Sequence, residues 1–298
     1  MTVVVLGGTG WVGRHVCAAF ARRGERVVAV ARNPTASGPG FRGLDLAGAP
    51  TAAIAGLLRA ERADVVVNAV DSTNTTDGWQ RSAEEHERTN ARMVERLLAA
   101  VAATAHPVRL IHLGTVHEYG PIAPGTAVAE THPPRPVNDY ARAKLAGSRA
   151  VLAATSVDAV VLRLVNVCGP EPSPASFPGK LVDLLRTRRP SVTVAAARRD
   201  FVDVRDVADA VVAASEVDIA GQAINIGSGR TVEIAELARI FFSEAGIPPH
   251  RVNLRYAQVP SLGGDWILAD ITRAAHLLAW RPSTPLRQSL HDMAAAAR

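Results

Sequence analysis

Thr2-Val-Val-Val-Leu-Gly7-Gly8-Thr9-Gly10-Trp11-Val12-Gly13 decides the reading of the fold. An apolar run of strand length meets three glycines spaced three apart, and a helical pattern follows through Arg23. Each glycine has a physical task. Gly7 permits the tight turn off the strand, and Gly10 lets backbone N–H groups approach a pyrophosphate. Gly13 lets the new helix pack close to the sheet, its partly positive N-terminus facing the phosphates. The triplet carries weight because it lies between a strand and a helix. This is the pattern of a dinucleotide site.

Outward from this stretch, strand-like and helix-like segments alternate, as in a parallel sheet covered by helices on both faces. The second strand is expected at Glu25–Ala31, with a short third near Phe41–Leu44 that leads to Asp45. A helix near Thr51–Ala60 precedes the fourth strand, Asp64–Val70, which is apolar throughout. The polar loop beginning Asp71-Ser-Thr-Asn opens where such folds place ligands, at the carboxyl ends of strands. A long helix is expected over Ala83–Ala103, a fifth strand over Val108–Leu113, a helix over Asn138–Ala154 and a sixth strand over Ala159–Val165. After Gly169-Pro170 the pattern loosens. Helix Arg205–Val217 and strand Ala223–Ile226 then return to the sheet, and helices near Val232–Ala245 and Thr284–Ala296 complete the chain. The fold class is therefore α/β, a doubly wound parallel sheet of Rossmann type with a smaller carboxyl-terminal region. Residues 1–168 form the cofactor domain, joined again by 201–227, and 169–298 mainly the substrate domain.

Composition narrows the classes of function. The 298 residues are 48% hydrophobic and 20% charged, the balance of a globular protein. No apolar run reaches about 18 residues, so no membrane span is expected, and the start lacks the pattern of a secretory signal. Cys17 and Cys168 have no metal-ligand spacing and are expected to stay reduced. A cytoplasmic protein without a metal site is expected. The net charge of +5 comes with scattered arginines interleaved with acids, not with basic runs that alternate with aromatics, so nucleic acid is not an expected partner. Only Lys144 and Lys180 are lysines, against 31 arginines.

The choice of cofactor rests on the end of the second strand. In dinucleotide folds an acidic residue there grips the adenosine ribose hydroxyls. Here Arg32 and Asn33 stand in its place, 25 residues beyond Gly7. A carboxylate would repel the extra phosphate of NADP, whereas a guanidinium pairs with it through two hydrogen bonds. NADP(H) is the expected cofactor. Asp45 is positioned to accept from the adenine amino group. The cofactor site is expected over Gly7, Thr9, Gly10, Trp11, Val12, Gly13, Arg32, Asn33, Asp45, Leu46, Ala69, Val70, Asn90, Tyr140, Lys144 and Leu164.

Tyr140-Ala-Arg-Ala-Lys144 places a phenol and an ammonium four residues apart on one helix face. Keeping a lysine here, in a chain that almost always uses arginine, points to a need for a compact ammonium. A free tyrosine titrates near 10, and lowering it to about 7 amounts to roughly 4 kcal/mol of phenolate stabilisation. A neighbouring ammonium and the positive charge of a nicotinamide are the means. Such a tyrosine exchanges a proton with a carbonyl oxygen as hydride arrives or leaves. Thr115, in Leu113-Gly-Thr-Val-His-Glu-Tyr-Gly120, stands 25 residues before Tyr140 and offers a hydroxyl to the reacting oxygen.

With these motifs the chain resembles the extended short-chain dehydrogenase/reductases of the NAD-dependent epimerase/dehydratase type, which act on nucleotide sugars. The resemblance runs in order from Gly7–Gly13 through Asn90, Thr115–Gly120 and Tyr140–Lys144 to Leu162–Pro170, Arg199–Asp206 and Asn225–Gly229. It implies a Tyr–Lys–Thr triad, a nucleotide-sugar substrate with Asn166 and Arg199 near its diphosphate, and a homodimer through the Tyr140 helix and the long helix before it. The family's 4,6-dehydratases carry Asp-Glu after the catalytic threonine. Val116 and His117 stand there, which argues against dehydration. Where similar epimerases carry Arg-Pro-Gly-Asp to clamp phosphate, this chain has Leu262-Gly-Gly-Asp265, so that contact falls to Arg199.

His117 lies two positions beyond Thr115, where similar reductases that also epimerise place a proton-transfer residue. Two readings stay open: an acid/base titrating near neutrality, or a histidine that binds substrate or lines the pocket. Lys180 is read either as a substrate contact or as a solvated helix start. Together these residues predict an NADPH-dependent ketoreductase of a nucleotide-linked keto-deoxysugar, such as a dTDP-4-keto-6-deoxyhexose. The alternatives are an NAD-dependent 4-epimerase and a nucleotide-sensing protein on the same fold.

Overall fold

The structure, a computed structural model, describes residues 1–32, 40–72, 81–187, 189–257 and 264–298. The chain begins with β1 (Thr2–Leu6), α1 (Trp11–Arg22), β2 (Arg26–Ala31), β3 (Phe41–Gly43), α2 (Thr51–Glu61) and β4 (Val65–Asn68). Next come α3 (Ala83–Glu87), a π-helical turn at Arg88–Arg92, α4 (Met93–Ala102) and β5 (Arg109–Thr115). A short 3-10 turn, Val116–Tyr119, precedes α5 (Asp139–Ala153), β6 (Ala159–Leu164), β7 (Asn166–Cys168), α6 (Phe177–Leu184), β8 (Ser191–Ala195), β9 (Arg198–Asp203) and α7 (Val204–Glu216). The chain ends with β10 (Ala223–Ile226), β11 (Thr231–Glu233), α8 (Ile234–Glu244), β12 (Asn253–Ala257), β13 (Trp266–Ile267), α9 (Thr272–Leu277) and α10 (Leu286–Ala295).

Seven strands form one parallel sheet in the order β10-β6-β5-β4-β1-β2-β3. The central strands are buried on both faces, which is why β1 and β4 read as apolar runs rather than as alternations, while β6 carries the buried Arg163 among its apolar residues. Val3, Val5, Ile111 and Leu113 face a core shared with α1 and α7, while Val4, Leu6, Val66 and Leu110 face the one under α2, α4 and α5. The chain order reverses between β1 and β4, so the crevice for a ligand opens at the carboxyl ends of those strands.

The helix expected over Ala83–Ala103 is not continuous. The π turn at Arg88–Arg92 widens it at Asn90, and α5 packs against that turn through Gly147. A Cβ on Gly147 would stand 2.2 Å from the Asn90 carbonyl oxygen, so only glycine permits this approach. β5 runs to Thr115, two residues beyond the expected end.

The later segments carry more strand than their composition suggested. β9 pairs with β7, β11 and β13, and β12 pairs with β8. These elements and α8 and α10 close on a third core around Phe241, Phe242, Leu290 and Met293. α7 and β10 belong to the large sheet and its cover, β10 lying beside β6.

Candidate active site

The turn after β1 is built for close approach. The missing Cβ of Gly13 would lie 2.1 Å from the Gly7 carbonyl oxygen, and that of Gly7 would lie 2.8 Å from the Ala69 carbonyl oxygen. Gly7, Gly13, Ala69 and Val70 are thus gathered at one place, with Thr9 half-buried in the turn between. α1 begins at Gly10 with no capping side chain and no acidic residue in its first turn. Such an end favours an anion at the backbone N–H groups of Trp11, Val12 and Gly13. The indole of Trp11 donates to the Pro170 carbonyl at 2.9 Å and ties the helix start to the loop after β7. This cradle fits a dinucleotide pyrophosphate.

Arg32 follows β2 directly and is exposed, as is Asp45 beyond β3. Leu46 is buried beside them, its carbonyl within reach of Arg96. Asn33 and Leu262 lie outside the described residues. Leu164 pairs with Thr115 across the end of the sheet, which brings β6 into the same site. Asn90 is buried in the π turn. Its amide donates to Ser72 Oγ at 2.8 Å, while its Oδ1 has no partner among the described residues.

α5 starts at Asn138, whose side chain accepts from the Ala141 N–H at 2.8 Å. Tyr140 and Lys144 fall on its buried face, 7% and 2% exposed. Lys144 Nζ donates to the Leu113 carbonyl at 2.6 Å, which fixes the ammonium against β5 two residues before Thr115. The Tyr140 hydroxyl donates to Asp71 Oδ2 at 2.9 Å, and the same oxygen is 3.6 Å from Lys144 Nζ. Asp71 was legible only as the start of a polar loop. The fold brings it to the phenol and the ammonium together.

Thr115 ends β5 and caps the 3-10 turn. Its Oγ1 accepts from the His117 N–H at 3.3 Å, which leaves the hydroxyl proton to be donated elsewhere. The Glu118 carboxylate accepts from the Thr115 N–H at 3.1 Å, from Ser148 Oγ at 2.8 Å and from Arg163 Nε at 2.8 Å. Glu118 is fully buried, and the sequence reading assigned it nothing.

His117 does not titrate near neutrality. Burial, reinforced by the Arg199 guanidinium and only partly offset by Asp71, pushes it down to about 3. Its imidazole is neutral at physiological pH, so the sequence-based acid/base role lacks the pKa it assumed. Arg199 lies on β9 and is itself lowered to about 10, chiefly by burial. It donates to the Gly264 carbonyl at 2.9 Å and reaches Asn166 Oδ1 at 3.5 Å. Asn166 in turn donates to the Asp200 carbonyl at 3.2 Å. His117, Arg199 and Asn166 therefore form one polar group between the large sheet and the later strands. Lys180 stands exposed in the first turn of α6.

The arrangement offers an anion cradle, a phenol beside an ammonium, a hydroxyl donor and a neutral imidazole backed by a guanidinium. These parts can hold a dinucleotide and exchange a proton with a substrate oxygen.

Comparison with known proteins gives concordant results. Residues 3–227 match the NAD dependent epimerase/dehydratase family. A dTDP-6-deoxy-L-talose 4-dehydrogenase (NAD(P)(+)) from Kitasatospora kifunensis is 36% identical, over 98% of this chain and 94% of that protein. A dTDP-4-dehydrorhamnose reductase from Mycobacterium tuberculosis is 28% identical, over 94% and 90%. Among solved structures, MoeE5 in complex with UDP-glucose and NAD superposes with a TM-score of 0.85 at 26% identity, covering 100% of this chain and 99% of its own.

Proposed function

The chain belongs to the NAD dependent epimerase/dehydratase family, and from that premise we propose that it is an NADPH-dependent ketoreductase of a nucleotide-linked keto-deoxysugar. The substrate class we favour is a dTDP-4-keto-6-deoxyhexose. The relative that is 36% identical over nearly the whole chain carries a dTDP-deoxysugar 4-dehydrogenase name, which describes the same carbonyl–alcohol conversion in the opposite direction.

One observation carries the reading: Tyr140 presents its hydroxyl on the buried face of α5, with Lys144 one turn away and Thr115 at the end of the neighbouring strand. A bound reduced nicotinamide supplies hydride to the carbonyl carbon. Tyr140 gives the carbonyl oxygen its proton, and Thr115 donates a hydrogen bond to the same oxygen and orients it. Lys144 holds the charge beside Tyr140 as the proton leaves. His117, neutral, hydrogen-bonds the sugar rather than moving a proton, and Arg199 with Asn166 meets the diphosphate. Gly7 to Gly13 hold the pyrophosphate, Asn90 lines the cofactor site, and Arg32 favours the extra phosphate of NADP over the bare ribose of NAD. In the same reading 1–168 with 201–227 carry the cofactor, the rest of 169–298 carries the substrate, and the enzyme works as a homodimer.

The test is NADPH oxidation by the purified protein over a panel of nucleotide keto-sugars. Turnover with a dTDP-4-keto-6-deoxyhexose that Tyr140→Phe abolishes is the expected result. Protein that retains stoichiometric NAD and interconverts 4-epimers without net cofactor consumption would overturn it in favour of an epimerase.

A further inference from the structure

Asp71 follows β4 by three residues, at the crevice where the strand order reverses. Its placement is built rather than incidental. The next residue, Ser72, is 3% exposed, receives a hydrogen bond from Asn90 Nδ2 at 2.8 Å and meets His86 Nδ1 at 2.7 Å. Because Asn90 donates, the Ser72 hydroxyl proton is available to the imidazole. Ser72, His86 and Asn90 are all buried, so the backbone at the end of β4 is pinned from α3 and from the π turn. This chain of contacts holds the Asp71 carboxylate 2.9 Å from the Tyr140 hydroxyl and 3.6 Å from the Lys144 ammonium.

We infer that Asp71 is a further working residue of this site, a proton-holding partner that keeps Tyr140 protonated between turnovers. The inference rests on the reading of Tyr140 as proton donor. A carboxylate that accepts the phenol's hydrogen bond stabilises the neutral form, and it repels a phenolate formed at the same place. Lys144 acts in the opposite sense. The two charges oppose each other at one hydroxyl, and the balance between them sets the pH at which Tyr140 loses its proton.

Other groups face this pair from the neighbouring elements. His86 of α3 stands edge-on to the Tyr140 ring, with centroids 5.7 Å apart, and burial lowers its pKa while Asp71 acts in the opposite sense. Arg81, Glu85 and Asp139 act on His86. His117 follows β5 within the field of Asp71, with Arg199 of β9 beside it. The Tyr140 hydroxyl donates to Asp71 and to none of these other groups in the contacts given above.

In reduction the Tyr140 O–H bond breaks and its proton joins the substrate oxygen. The carbonyl π pair becomes the new O–H bond pair, and the carbon gains the hydride of the reduced nicotinamide. The phenolate left behind takes a proton that enters from water by way of the Asp71 carboxylate, whose side chain is 21% exposed where Lys144 is 3% exposed. Each turnover thus consumes one proton from solvent, and Asp71 returns to its carboxylate form.

The experiment is the pH profile of kcat/KM in both directions, with Asp71→Asn, Asp71→Glu and Tyr140→Phe. Oxidation of dTDP-6-deoxy-L-talose with NADP needs the phenolate and rises with pH. Reduction needs the phenol and falls with pH. Removing the carboxylate charge makes the phenolate easier to form, so Asp71→Asn should move both limbs to lower pH by at least one unit. Asp71→Glu, which keeps the charge, should leave the limbs at their wild-type positions. The phenolate absorbance assigned to Tyr140 by difference against Tyr140→Phe should move with them. Limbs that stay in place in Asp71→Asn, or move equally in Asp71→Glu, overturn the inference. A rate loss uniform across pH marks a merely structural role and overturns it too. Failure of the functional reading is distinct: Tyr140→Phe would then retain full reduction whatever Asp71 does.

Discussion

Glu118 and Arg163 face each other at 2.8 Å with almost no contact with solvent, their side chains 0% and 4% exposed. The other Glu118 oxygen holds the Thr115 N–H and Ser148, while Arg163 also donates to the Tyr119 hydroxyl at 2.9 Å and lies over its ring. Removing one member of a buried ion pair strands the charge of the other. The pair therefore anchors the strand end that carries Thr115.

Glu118→Ala should cost about 3–5 kcal/mol of stability, because Arg163 would remain charged and buried without its carboxylate. Glu118→Gln keeps an acceptor for the Thr115 N–H and should cost less. Denaturant unfolding measures both. If Glu118→Ala unfolds at the wild-type midpoint, the pair carries no such burden.

Acid should destabilise the fold from pH 6.5 downward. His15, His86, His112 and His117 are all lowered below the ordinary imidazole value, each chiefly by burial, and His117 reaches about 3. In the unfolded chain these groups take up protons near pH 6.5, and in the folded protein they do not. The unfolded state then binds more protons, so stability rises with pH across the window from about 3 to 6.5 and falls on acidification through it. Unfolding midpoints between pH 7 and pH 5 should drop, and His117→Asn should flatten the slope. For the same reason, the proposed ketone reduction should show no pH limb that His117→Asn removes between pH 5 and 8.

Much of this site was legible because its members obey local rules. The glycine turn joins a strand to a helix, and Tyr140 and Lys144 share a helix face by spacing alone. Asp71 and Glu118 obey no such rule. Asp71 meets Tyr140 across 69 positions and Glu118 meets Arg163 across 45, so their contacts follow from strand order rather than neighbouring residues. The later strands were missed for a related reason. β9 reads Arg-Arg-Asp-Phe-Val-Asp, a polar stretch, yet four of its six residues are buried. Asp200 is buried because it accepts from Ser228, Gly229 and Ala269, and Asp203 because it caps α7 and pairs with Arg205.

Arg32→Asp should turn the proposed cofactor preference from NADPH toward NADH. Hydrogen bonds to a charged group contribute about 1.5–3 kcal/mol, and a carboxylate in place of the guanidinium adds repulsion. The ratio of kcat/KM for the two cofactors should therefore change by about tenfold or more. An unchanged ratio would remove Arg32 from cofactor selection.

Two glycine-to-alanine changes should have opposite signs. At Gly13 the new methyl would meet the Gly7 carbonyl oxygen at 2.1 Å, a backbone atom in the turn itself. α1 must then move off the turn, and overpacking of this kind costs about 1–3 kcal/mol. Because the helix start and the turn form the proposed phosphate cradle, affinity for the proposed cofactor, NADPH, should fall along with the melting temperature. At Gly56, inside α2, a Cβ meets nothing within 4 Å. Alanine there removes only the helix penalty of glycine, so the protein should gain up to about 1 kcal/mol with cofactor binding unchanged. Thermal unfolding and NADPH titration of the two variants side by side separate a steric demand of the turn from the general dislike of helices for glycine. If Gly13→Ala binds NADPH as the wild type does, the close approach of α1 to the Gly7 turn is not what builds the cradle.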